Sequence, residues 1–237
     1  MPARSGSLGP QTAFALGLAT LCVLSWSAGC DRAPTPAPAP EHPPGTVLLL
    51  NDVPIRADEV DEYAEAYARL EPGFVETHCR RLALTNVVLP LVAARGIDPA
   101  ARDAARTQAE AYKAALDSGA SPNAPLAGPI AEPREGTWKR VGLEAWNATI
   151  DRQDGAWSDV IETPGAFQLV RLLKRGPQTV AQEVYLELSV VEFPYLQGET
   201  RAAIDAALDA SHLVFVDPAW RDCIPTLWQH RLHAETP

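Results

Sequence analysis

His78 and Cys79 stand side by side in this 237-residue chain, and a histidine beside a cysteine is the first place to look for a nucleophile or a metal ligand. Catalytic Cys–His dyads are assembled in space, with the base oriented by a third group, and nothing near this pair supplies that group. His230 and His233 are spaced i, i+3 on a possible terminal helix and could share a metal. No Glu or Cys stands at ligand spacing from them, so they are expected to be solvated tail histidines. Asp58, Glu59, Asp61, Glu62 and Glu65 form an acidic run. Negative charge at a helix start and along a solvated face accounts for it without paired-carboxylate chemistry. The chain has no phosphate-cradling glycine loop, dinucleotide fingerprint, serine-hydrolase elbow or HExxH pair. No cofactor and no metal are expected, and no catalytic residue can be assigned.

The chemistry is therefore set by address and charge. Arg4 is followed by an apolar run, Ala13–Ala28, too short for a comfortable membrane span and suited to a signal-peptide core. It closes on Ser27-Ala28-Gly29-Cys30, small residues before a cysteine, in the manner of a bacterial lipobox. Cys30 is the expected lipidation site, with an ordinary secretory cut or an uncleaved anchor as the alternatives. Loss of residues 1–29 removes one of the 20 basic residues and none of the 30 acidic ones, taking the formal charge from −10 to −11. So acidic a chain offers no face that could offset phosphate repulsion, which excludes nucleic acid as a partner. Membrane holding falls to the lipid on Cys30. Ala33–Pro44 (APTPAPAPEHPP) is a Pro/Ala-rich stalk, extended and semi-rigid, suited to holding a folded part off a surface. Cys22 lies in the signal, which leaves Cys79 and Cys223. In an oxidising exported compartment they are expected to pair as one disulfide; two separate buried thiols are the alternative.

Thr46–Asn51 reads as a buried strand turning at Asn51-Asp52 into Val53-Pro54-Ile55. A helix follows over Ala57–Leu70, with Val60, Tyr63, Ala64 and Tyr67 on one apolar face. A second helix spans Val75–Arg95 with Gly96 as its C′ residue, and Pro90 predicts a kink in it. Asp98-Pro99 opens a third as N-cap and N1, ending near Ser118-Gly119. Ala120–Gly136 reads as a linker. Beyond it Trp138, Trp146 and Trp157 should build a core. Ser158–Leu173 reads as a hairpin about Pro164-Gly165, and Val184–Val191 as a further strand. Glu199–Ala210 is an amphipathic helix, Leu213–Val216 a short strand, and Asp217-Pro218 starts a last helical piece interrupted by Pro225.

Two blocks resemble one family. Val47–Ile55, followed by Asp58-Glu59-Val60 opening a helix, is similar to the start of exported SurA/PpiC-type folding factors, where a V-N-G-x-P-I strand-turn precedes a helical chaperone domain. Asp52 replaces the usual glycine of that turn. Gly155–Thr163 and Gly165–Arg171 resemble the closing hairpin of a parvulin peptidyl-prolyl isomerase. There the family has a histidine that orders the active-site hydrogen bonds; this chain has Gln168. The H-I-L strand and the Cys or Asp of the family have no counterpart.

The resemblance implies an α+β fold. Its parts would be a signal peptide (1–29), a lipid-anchored stalk (30–45), a helical chaperone-like lobe (46–119), a linker (120–136) and a small parvulin-like antiparallel sheet lobe (137–237). It implies an envelope lipoprotein facing the periplasm that binds unfolded or extended polypeptides without catalysis. An active prolyl isomerase using other residues and a docking lipoprotein of the envelope are the alternatives. Met1 is the only methionine. A client groove would therefore rely on Tyr63, Tyr67, Leu70 and Phe74, which could equally be core.

Overall fold

The apolar run after the stalk becomes β1 (Thr46–Leu50), in which every residue is buried. Such a strand must be covered on both faces and paired on both sides. In the computed structural model it lies at the centre of a three-stranded antiparallel sheet, between β2 (Val53–Arg56) and β7 (Leu213–Phe215). The structure describes residues 42–119, 131–178 and 184–235; the signal segment, Cys30 and most of the stalk lie outside them. Asn51 and Asp52 form the two-residue turn between β1 and β2 with φ of 50° and 65°. Asn and Asp tolerate this left-handed region better than other non-glycine side chains, so the turn forms without a glycine. Asn51 also fastens it: Nδ2 donates to Ser211 Oγ at 2.9 Å and Oδ1 accepts from the His212 N–H at 2.8 Å.

α1 (Ala57–Leu70) has the predicted bounds. The expected second helix is α2 (Glu76–Ala83), a π-helical turn over Leu84–Val88, and α3 (Leu89–Ile97), in unbroken succession. Pro90 has no N–H to donate and crowds the preceding turn. The chain answers by widening that turn, so that the Leu89 N–H reaches Leu84 O. Gly96 stays within α3 and is not its cap. Asp98 caps α4 (Pro99–Asp117), its side chain accepting from the Ala101 N–H at 2.9 Å, and the chain bends by 108° there.

The second sheet is antiparallel, in the order β3-β6-β5-β4, with β3 (Glu132–Gly136), β4 (Ile161–Thr163), β5 (Ala166–Gln178) and β6 (Val184–Pro194). Pro164-Gly165 makes the predicted hairpin turn, Thr163 facing Ala166, and β5 pairs with β6 along its length. Leu169 and Val170 are neighbours in β5 and both fully buried. Successive strand residues point to opposite faces, so the sheet is covered on both. Tyr112 of α4 meets Phe193 edge-on at 5.6 Å on one face. β3 replaces part of the expected linker, and its Pro and Glu residues suit an exposed edge. α5 (Trp138–Val141) and α6 (Leu143–Thr149) were not legible in the sequence; Trp146 is buried, while Trp138 and Trp157 pack partly buried against the core. α7 (Thr200–Asp209), a 3₁₀ helix (Pro218–Cys223) capped by Asp217, and α8 (Thr226–Arg231) complete the chain.

Helices and antiparallel sheets make this a mixed α+β fold. Its core is continuous across the expected lobe boundary: buried residues from Val47 to Leu232 form one cluster within a single compact unit, Glu41–Pro237. The first and last strands share a sheet, so the ends of the described chain close on each other. The disulfide expected between Cys79 and Cys223 is not formed; both are free, buried thiols. Each sits in the core as a small apolar group, a role that needs no bridge.

Candidate functional site

α1 stands between two clefts. It presents Glu59, Glu62 and Tyr63 to one, and Asp61, Ala64, Glu65 and Ala68 to the other. This follows from helical geometry, since residues three and four apart share a face.

The first cleft, about 280 Å³, is closed by Leu91 and Arg95 of α3, Glu144 and Asn147 of α6, and Val160–Glu162 at β4. Its wall is an ion network joining four elements. Arg95 of α3 donates to Glu162 at 3.1 Å and to Glu59 at 3.2 Å, and Arg102 of α4 donates to both carboxylate oxygens of Glu162. Burial works to raise the Glu162 pKa, but the hydrogen bonds and charges of Arg102 and Arg95 outweigh it and hold the carboxyl below its ordinary range. Glu144 has no such partner among the described residues: burial pushes its carboxyl up, and the opposing backbone hydrogen bond does not cancel the rise. Burial, together with Glu144, Glu62 and Glu59, pushes the Tyr63 hydroxyl up strongly. This tyrosine stays protonated throughout the physiological range.

The second cleft, about 380 Å³, runs between α1 and α2. Ala64, Ala68, Phe74 and Cys79 supply its apolar lining, and Asp61, Glu65, Glu76 and Arg80 its charged lining. Arg80 is tied to Asp61 and Glu76, each at 2.7 Å, and lies over the Trp220 ring at 4.7 Å. Phe74, which lines the groove, is 41% exposed, and the next residue in the chain, Val75, is 71% exposed.

The four expected client-groove residues do not line one groove. Tyr67 and Leu70 are in the core, Tyr67 edge-on against Trp138 at 5.9 Å. Tyr63 faces the first cleft and Phe74 the second. Residues 60, 64 and 67 complete the inward stripe of α1, and Tyr63 lies to one side of it.

Gln168 is buried in β5. Its Nε2 donates to Glu192 Oε1 at 2.6 Å, across the strand pair, and Arg134 of β3 holds the same oxygen at 2.7 Å. An amide locked to an ion-paired carboxylate has no proton to exchange near neutral pH. His78 packs edge-on against Phe74 at 4.4 Å. Burial pushes the Cys79 and Cys223 thiols up, the reverse of an activated nucleophile. His230 and His233 are exposed at the end of α8, and among the described residues no group of three or more metal-ligating side chains comes together.

Arg95, Glu144 and Glu162 carry the first cleft and were not singled out by sequence. Arg95 bears the one detectable signal, a charge closing an apolar helix. The partners of Glu162 lie 60 and 67 residues away. No protein-family model, curated protein or solved structure matches the chain.

Proposed function

We propose that this protein is a non-catalytic, polypeptide-binding lipoprotein of the bacterial envelope, a degenerate relative of SurA/PpiC-type folding factors held to the membrane through Cys30. The observation that carries the proposal is the α1–α2 groove, with its apolar lining, the partly exposed Phe74 within it and the exposed Val75 next in the chain. An exposed aromatic beside an apolar cleft costs solvation unless something covers it, and an unfolded chain supplies apolar side chains to do so. Gln168 supports binding over isomerisation. Peptide-bond rotation faces a barrier of ~18–20 kcal/mol, and the amide locked between β5 and β6 offers nothing to lower it.

The test is aggregation of an unfolded outer-membrane protein diluted from denaturant, followed by light scattering. The purified protein in several-fold excess suppresses scattering, and Phe74→Ser with Val75→Ser weakens that suppression while the fold, followed by circular dichroism, is unchanged. Scattering unaffected by the native protein refutes the proposal. A single stoichiometric partner after crosslinking in the native envelope, in place of many clients, would favour the docking alternative.

A further inference from the structure

The two clefts share one wall and one excess of charge. The first cleft sets Glu59, Glu62, Glu144 and Glu162 against a single lining cation, Arg95; the second sets Asp61, Glu65 and Glu76 against Arg80. Arg95 is consumed by Glu59 and Glu162, and Arg80 by Asp61 and Glu76. Among the described residues Glu62, Glu65 and Glu144 have no ion-pair partner, and all three line the clefts. Two of them flank the crest of α1, Glu62 on one side and Glu65 on the other.

We infer that the occupant of this surface is an extended polypeptide lying across α1, with an apolar side chain in the Phe74 groove and a lysine or arginine in the Glu62–Glu144 cleft. The inference rests on the polypeptide-binding reading and adds its selectivity. Charge complementarity chooses the cation: Glu62 and Glu144 line the first cleft with no partner cation among the described residues, so an ammonium or guanidinium entering it gains a carboxylate at Glu62 and favours the charged form of the buried Glu144, whereas a neutral or acidic side chain does neither. The spacing follows from the ridge. A helix with its side chains is roughly 10–12 Å across, and an extended chain advances roughly 3.3 Å per residue. The apolar and basic residues of the bound segment are therefore about three or four positions apart.

The experiment uses short fluorescent peptides and anisotropy. One peptide carries Leu-Phe with Lys four positions on; a second replaces that Lys by Gln. The Lys peptide binds about ten-fold more tightly, the scale of one charge-assisted hydrogen bond, and the Glu62→Gln/Glu144→Gln double variant binds the two peptides alike. Equal affinity of both peptides for the native protein overturns the inference and leaves polypeptide binding standing. This comparison needs no variant, so a folding defect in the double mutant does not obscure it. Failure of both peptides to bind, in a protein that also leaves aggregation unaffected, overturns the inference together with the reading beneath it.

Discussion

Glu162→Gln is the perturbation that tests the ion network most directly. The substitution keeps shape and removes one charge. Side-chain exposures are 15% for Glu162, 21% for Arg102 and 31% for Arg95. Arg95 keeps Glu59, but among the described residues the remaining ion pair of Arg102 is to Asp103, at 3.8 Å and itself 78% exposed, beside its place over the Phe167 ring at 5.8 Å. Breaking a fully buried pair costs roughly 3–5 kcal/mol, and an exposed pair is worth roughly 0–1 kcal/mol. Partial burial places this loss between them, at about 2 kcal/mol. For a chain of this size that corresponds to a fall in Tm of roughly 4–8 °C. Thermal and urea unfolding of the two proteins at neutral pH would measure it. The pH dependence supplies a second check. The Glu162 carboxyl has a folded pKa below its unfolded one, so its contribution is fully present above the unfolded value of about 4.3 and is lost as pH falls through the folded value. The gap between native protein and variant therefore stays constant from neutral pH down to mild acid and then closes. Equal stability at neutral pH, or a gap that persists once Glu162 is protonated, would refute the assignment of the network as the clasp between β4 and the helices.

Gln168→Ala removes the bond to Glu192 and lowers stability by about 1–2 kcal/mol in urea unfolding, while Gln168→His produces no turnover in a proline-peptide isomerisation assay; activity in either the native protein or the His variant would restore the enzyme alternative. Cys79 and Cys223 resist a thiol-titrating reagent in the native protein and react on unfolding, and a reducing agent leaves Tm unchanged, because both are buried and free. A fall in Tm on reduction would reveal a bridge. Gly165→Ala lowers stability by about 1–3 kcal/mol, because the turn holds φ at +100° and a Cβ there would meet Thr200 Cγ2 at 2.5 Å. Thermal unfolding measures it, and an unchanged Tm would show that the turn relaxes freely.

Legibility followed the range of the interaction. α1 and α4 matched their expected bounds because apolar period, capping Asp98 and the Pro at N1 all act within a turn or two. The hairpin at Pro164-Gly165 was legible for the same reason, and its partnership with β6 needed only two apolar runs of compatible length. β3 was hidden. Glu-Pro-Arg-Glu-Gly carries no strand pattern of its own, and it is a strand because β6 offers an unpaired edge. α5 and α6 are too short for a helical period to stand out. The expected client groove failed at a finer level. Helical spacing put Tyr63 with Tyr67, but rotation of α1 in the packed core buried Tyr67 and turned Tyr63 into a polar cleft.

The hairpin, the capped helices, the Asn51-Asp52 turn, the acidic balance and the glutamine at position 168 were readable from the chain by itself, because each is a property of neighbouring residues. Tertiary structure decided that Cys79 and Cys223 stay apart as buried thiols, that Gln168 is locked to a Glu192 also held by Arg134, and that Arg95, Arg102, Glu59 and Glu162 join in one ion network. Those groups come from separate elements, and Glu162 is 60 and 67 residues from its two arginines. No local period couples such residues; only the packing of one continuous core brings them within reach.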